Sequence, residues 1–238
     1  MKYENRIPEL DLLRGLCILG MIAVHFIYDL TEIYPVFGGY SPLFLLVKNW
    51  GGTVFFLISG ICVTLGHRHL RRGITVFSCG MVVSAVTVLA GFVPIRFGVL
   101  HALGVCMLCW ECFKRASARV LAGCGIAFAV LGWAFEQITV SNAFLYPLGL
   151  TAASFESADF FPLFPNLGYF LLGACLGRRY YAGRKSLFPQ YAFLSPVSRF
   201  LRLCGRRSLL LYLIHQPVLI IGIEAAMFIG GIFHENSP

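Results

Sequence analysis

The chain has 238 residues, of which 58% are hydrophobic and 13% charged, with a mean hydropathy of +0.78 and a formal net charge of +8. Soluble domains carry about one quarter charged residues, so this composition excludes an ordinary soluble protein and points to a polytopic membrane protein. The positive excess does not indicate nucleic acid, because its placement along the chain follows a membrane rule.

Apolar segments of spanning length, roughly 17 to 25 residues, run in chain order over 12–30, 50–66, 74–93, 97–113, 120–136, 160–177 and 207–233. The expected fold is all-α, a polytopic transmembrane helix bundle of about seven spans. No internal repeat or flexible linker is visible, so residues 1–238 read as a single domain. The first segment is not expected to be a cleavable signal, since Glu4, Glu9 and Asp11 dilute its basic flank and no small-x-small cleavage site follows it.

The 19 basic residues are distributed by side. Lys2, Arg6, Arg14, Arg68, Arg71, Arg72, Lys114, Arg115, Arg119, Arg178, Arg179, Arg184, Lys185, Arg199, Arg202, Arg206 and Arg207 fall at alternate helix ends, and only Lys48 and Arg96 fall at the others. The positive-inside rule then places the N-terminus in the cytoplasm and the C-terminus outside, which requires an odd number of spans.

The first span, RGLCILGMIAVHFIYD, contains ionisable groups in an apolar run. At about 100° and 1.5 Å per residue, Arg14 and His25 share a face roughly 16 Å apart along the axis, with Asp29 one turn beyond. Asp11, Arg14, His25, Asp29 and Glu32 fall within an arc of about 60°. A charge facing lipid costs at least about 2.5 to 3.5 kcal/mol, so the stripe is expected to face a cavity in the bundle.

Further along, His101 lies about two turns inside the external end of the fourth span, which begins near Arg96. Cys106, Cys109 and Cys112 form a CxxCxxC there, but on a helix the thiols drift along a stripe and make no closed cage, so no metal is expected. None of the nine cysteines lies in the external segments 31–49 and 137–159, which argues against a disulfide framework. Asn166 and Arg96 lie near the external face, where binding an acceptor competes with satisfying backbone next to Pro165 and Pro94. In the last span Ser208, Tyr212 and His215 share a face, and Pro217 leaves the Leu213 carbonyl without its helical donor. Three spans thus each offer a histidine to one central cavity.

Five blocks in this order, LDLLRGLCILGMIAVHFIYDL, GGTVFFLISGICVTLG, RFGVLHALGVCMLC, FFPLFPNLGYFLLGACLG and GRRSLLLYLIHQPVL, resemble the bacterial members of the heparan-α-glucosaminide N-acetyltransferase catalytic-domain family. Arg14-x10-His25 also resembles the basic residue, ten residues, histidine motif of membrane acyltransferase family 3. The resemblance implies a multi-pass protein of a bacterial cytoplasmic membrane that moves acetyl from cytoplasmic acetyl-CoA to an amine or hydroxyl of an extracytoplasmic glycan or small acceptor. It makes Arg14 and His25 catalytic candidates, and the helical stripe adds Asp29 to them. The animal lysosomal relatives place a catalytic histidine between the first two spans, and TEIYPVFGGYSPLFLLVKNWGG contains none.

The residues suit that chemistry. Arg14, Arg68, Arg71, Arg72, Arg178 and Arg179 are candidates for the phosphates of acetyl-CoA, although such clusters also serve topology. His101, His215, Tyr212, Asn166 and Arg96 are candidates for lining the acceptor cavity. The pantetheine arm is comparable in length to the Arg14 to His25 separation, and Asp29 is placed to fix the tautomer of His25. General-base activation by His25 and transfer through an acetyl-histidine both remain open. Two other classes also remain: a transmembrane haem-binding electron-transfer protein, from histidines on neighbouring helices, and a proton-coupled transporter. The bilayer is the expected environment, a homo-oligomer is compatible with the sequence, and nucleic acid is not an expected partner.

Overall fold

The structure is a computed structural model and describes residues 6–142, 144–189 and 195–235. Lys2 and Glu4 lie outside the described residues. The chain forms α1 (Pro8–Tyr28), extended by a π-helical turn (Asp29–Ile33), then α2 (Pro42–Leu65), α3 (His69–Leu89), α4 (Val99–Phe113), α5 (Ala118–Glu136), a 3₁₀ turn (Tyr146–Leu148), α6 (Leu163–Tyr180), α7 (Pro196–Arg206) and α8 (Ser208–Glu235). Among the described residues the only β pairing is two isolated bridges, Phe97 with Phe160 and Thr139 with Thr151.

Each apolar stretch of the sequence holds a helix. Among the described residues five stretches are long and apolar enough to cross a membrane by length and composition: Pro8–Ile33, Pro42–Leu65, His69–Leu89, Ala118–Glu136 and Ser208–Gly230. The apolar α4 is shorter, at 15 residues. Two boundaries differ from expectation. α2 starts at Pro42, well before residue 50, because Ser41 Oγ accepts the Phe44 N–H at 3.2 Å and proline suits a first helical position. α7 was not expected from the sequence at all; Ser195 caps it by accepting the Ser198 N–H at 3.1 Å, with Pro196 at the first position.

The chain divides into two compact units, one of Met1–Leu10 and Gly52–Phe193 and the other of Asp11–Gly51 and Leu194–Pro238. In the first, α3 packs on α4, and α5 on α6. The end of α2 also approaches α6 at backbone distance. A Cβ on Gly60 would lie 1.9 Å from the Phe170 carbonyl oxygen, and one on Gly173 would lie 2.0 Å from that of Leu57. Helices in lipid gain from such close approach of small residues, because the hydrophobic effect does not distinguish lipid from a neighbouring apolar helix. Phe56 and Phe170 fill the space around that crossing and are fully buried. Ile7, Leu10 and Tyr181 form a small core with Ile61, Cys62 and Leu65. Beside it Glu9 accepts from Ser186 Oγ and the Leu187 N–H, both at 2.8 Å.

In the second unit α1 and α7 meet through a reciprocal glycine contact. A Cβ on Gly15 would lie 1.9 Å from the Leu201 carbonyl oxygen, and one on Gly205 would lie 1.8 Å from that of Asp11. Arg206 Nε donates to Asp11 Oδ2 at 3.1 Å beside this crossing. Arg207 alone separates α7 from Ser208, where α8 begins.

Candidate functional site

The second unit gathers Arg14, His25 and Asp29 of the ionisable stripe against one face of α8. Arg14 Nη2 donates to Ser208 Oγ at 2.7 Å, at the start of α8. Further along both helices the rings of His25 and His215 meet edge-to-face, with centroids 4.9 Å apart and planes at 67°. Tyr212, one turn before His215, lies 5.4 Å from the His215 ring. Asp29 follows within the π-helical turn and is 1% exposed, and both its carboxylate oxygens accept from Gln216 Nε2, at 3.0 and 2.9 Å. Irregular turns of this kind recur at functional positions in helices.

The hydrogen bonds of His215 fix its tautomer. Its Nδ1 is 2.6 Å from the Tyr212 carbonyl oxygen, which can only accept, so Nδ1 carries the hydrogen. In the neutral ring Nε2 then presents a lone pair. That nitrogen is buried without a hydrogen-bond partner, as is Oε1 of the adjacent Gln216. Buried polar atoms are normally paired, and exceptions mark binding or catalytic positions often enough to call for an explanation. Two bare acceptors on consecutive residues, next to a second imidazole, are suited to meet a group that brings N–H or O–H donors.

At the far end of the unit two tyrosine–glutamate bonds close the arrangement. Tyr34 donates to Glu224 and Tyr40 to Glu32, each at 2.7 Å. The bond to Glu224 raises Tyr34 above the ordinary phenol value. Desolvation, then the Glu32 bond, pushes Tyr40 up to about 12. Both phenols therefore remain donors at neutral pH.

The remaining sequence candidates lie in the first unit, where four of them, His101, Asn166, Arg96 and Arg178, are engaged by their neighbours. His101 is 2% exposed; its Nδ1 accepts the Gly98 N–H at 3.2 Å, and its Nε2 faces Ser84 Oγ at 3.5 Å. Ser84 in turn donates to the Ile95 carbonyl at 2.5 Å. Phe77 and Phe97 contact the ring at 5.5 and 5.7 Å. His101 thus ties the first turn of α4 to α3. Asn166 Nδ2 donates to the Pro162 carbonyl at 2.8 Å, and Arg96 Nε donates to the Glu156 carbonyl at 2.9 Å, so both satisfy backbone. Arg178 donates to the carbonyls of Ala116 and Lys114 and lies over the Trp110 ring at 5.4 Å. Arg68, Arg71, Arg72 and Arg179 are exposed. Arg68 sits with φ 61 immediately before α3.

Several partners were not anticipated from the sequence. Gln216 is the partner of Asp29, and no hydrogen bond joins Asp29 to His25 among the described residues. Asp159 accepts the Val99 N–H at 3.1 Å and so serves the start of α4. Arg202 of α7 has a buried Nε without a partner. The sequence signals were weak: Gln216 stands between His215 and Pro217 in the last span, and Asp159 lies in a loop. Among the described residues no group of three or more His, Cys, Asp or Glu is arranged to hold a metal ion.

A helical membrane protein with two imidazoles in edge contact and an open acceptor nitrogen between its helices has the groups that acyl transfer requires. Residues 6–217 match the family model for heparan-alpha-glucosaminide N-acetyltransferase, catalytic. The chain belongs to that family, as the five sequence blocks indicated, and is by that membership a membrane acetyltransferase. No curated protein and no solved structure matches it.

Proposed function

We propose that the protein transfers acetyl from cytoplasmic acetyl-CoA to an amine or hydroxyl of an extracytoplasmic glycan or small acceptor, in a bacterial cytoplasmic membrane, with residues 1–238 acting as one catalytic domain. The observation that carries this reading is the edge-to-face pair of His25 and His215, with Nε2 of His215 buried and unpartnered. Family membership supports the reaction class.

In the direct route His25 takes the proton of the acceptor's N–H or O–H as that atom attacks the thioester carbonyl. The C–S bond breaks, and the departing thiolate takes up a proton to leave CoA. In the two-step route a nitrogen of His25 attacks the carbonyl first, the C–S bond breaks and CoA leaves with the imidazole proton; the acceptor then displaces the acetyl group from the ring and its own proton passes to the freed ring nitrogen. His215 holds its neighbour's ring by edge contact and offers Nε2 to a donor on the acceptor. Asp29, held by Gln216, supplies negative charge in the same unit that favours an imidazolium. Arg14, fixed by Ser208 roughly 16 Å along α1 from His25, is the phosphate ligand for the donor.

The assignment of sides rests on the expected topology of about seven spans with the N-terminus inside. The test of function is vectorial. Purified protein is reconstituted into sealed vesicles of known orientation, with labelled acetyl-CoA on the cytoplasmic side and a glucosamine-terminated acceptor on the other. Labelled acceptor appears only when both are present. Absence of label with a panel of amine and hydroxyl acceptors, while the protein is folded, overturns the assignment.

A further inference from the structure

α7 has 11 residues, about 16 Å of helix, which is too short for a hydrocarbon core of roughly 30 Å. At about 100° per residue, with Val197 at zero, its residues divide into three sectors. Leu201, Gly205 and Ser198 lie between about 40° and 100°, and this is the sector that meets α1 through the Gly15 and Gly205 contacts. Val197, Phe200 and Leu203 lie between about 240° and 360° and are 67%, 55% and 47% exposed, with the small Cys204 of the same sector buried between them. Arg199, Arg202 and Arg206 lie between about 140° and 200°. One sector is packed, one is apolar and open, and one is basic.

That division is the signature of a helix lying in the plane of a membrane interface. The basic sector is differentiated within itself. Arg206 is bound to Asp11, Arg199 is exposed, and Arg202 keeps a buried Nε with no partner among the described residues. A guanidinium N–H removed from water needs an acceptor, and an anionic oxygen is the strongest one available. We propose that α7 docks on anionic phospholipid, with Val197, Phe200 and Leu203 in the upper acyl zone and Arg199 and Arg202 on lipid phosphate. Charge complementarity commits the occupant, since a zwitterionic surface gives no net attraction to this sector. The proposal goes beyond acetyl transfer and stands whether or not that reading holds.

The full chain is reconstituted in nanodiscs of phosphatidylcholine, alone or mixed with phosphatidylglycerol, and retained lipids are counted by native mass spectrometry. Wild type retains phosphatidylglycerol in preference. Arg199→Gln with Arg202→Gln lowers that retention by about fivefold for each arginine and leaves phosphatidylcholine retention and CoA affinity unchanged. Arg199→Lys with Arg202→Lys keeps most of it. In parallel, Phe200→Trp is quenched by lipids brominated near the headgroup more than by lipids brominated at the chain ends, beyond the signal of the three native tryptophans. Equal phosphatidylglycerol retention in folded wild type and the glutamine variant overturns the proposal. So does loss of CoA affinity with lipid retention intact, which assigns the arginines to a free phosphate ligand, or quenching strongest at the chain ends.

Discussion

In the unit that contains α3 to α6, His101 uses both ring nitrogens on its neighbours, Asn166 and Arg96 bond backbone carbonyls, and Arg178 binds two more. In the unit that contains α7 and α8, Nε2 of His215, Oε1 of Gln216 and Nε of Arg202 are buried with no partner. All three such atoms among the described residues fall there. We infer from the difference that a polar residue in an apolar helix is not by itself a mark of function in this fold. Pairing decides, because a satisfied polar group has a structural explanation, whereas a buried unsatisfied one costs about 1 to 3 kcal/mol unless a ligand meets it.

The comparison can be broken most sharply at His25. His25→Ala is expected to lower acetyl turnover by about 10²- to 10⁴-fold, the range for loss of a general acid–base group, with CoA affinity unchanged, as read by isothermal titration on the folded protein. Next in size is the opposite behaviour of His101. Removing a buried ring that two phenylalanines and two hydrogen bonds surround is expected to cost about 2 to 5 kcal/mol of stability in His101→Ala, seen as a lowered unfolding midpoint. Gly205→Ala sharpens the packing half of the account. Its Cβ meets the Asp11 carbonyl, so α7 has to move from α1 at about 1 to 3 kcal/mol, and the same thermal scan shows it.

Arg14→Ala is expected to weaken CoA binding by about 1 to 3 kcal/mol, with Arg14→Lys restoring part of it because the charge stays and the planar fork goes. Unaltered affinity in folded Arg14→Ala removes the donor role. Ser208→Ala, which loses only the neutral partner of Arg14, is expected to show a smaller effect of about 0.5 to 1.5 kcal/mol in the same titration. A last test addresses sidedness: a cysteine introduced next to Arg71 stays unlabelled by an impermeant thiol reagent in intact cells, and labelling there reverses the donor side.

Much of the helix content is legible in hydropathy alone, since apolar runs of spanning length leave the chain few alternatives to helix in lipid. α7 is not legible that way, because three arginines in 11 residues read as a basic cytoplasmic loop until the sectors are drawn. For the site, the one-face geometry of Arg14, His25 and Asp29 follows from helical spacing. The meeting of that face with Ser208, His215 and Gln216 joins residues almost two hundred positions apart and is a property of packing. His101 shows the converse. Spacing places it about two turns inside the fourth span, whereas it lies in the first turn of α4, and the Gly98 and Ser84 bonds that explain it come from outside that helix.

The contrast between the two histidines that were expected to share a cavity with His25 provides the most direct measurement. Acetyl turnover per folded molecule is determined for His215→Ala and for His101→Ala in the same vesicles, with folded protein quantified by size exclusion. The account predicts at least about a tenfold loss for His215→Ala and turnover within about twofold of wild type for the folded fraction of His101→Ala. Wild-type turnover in His215→Ala, or a larger loss in folded His101→Ala, contradicts it.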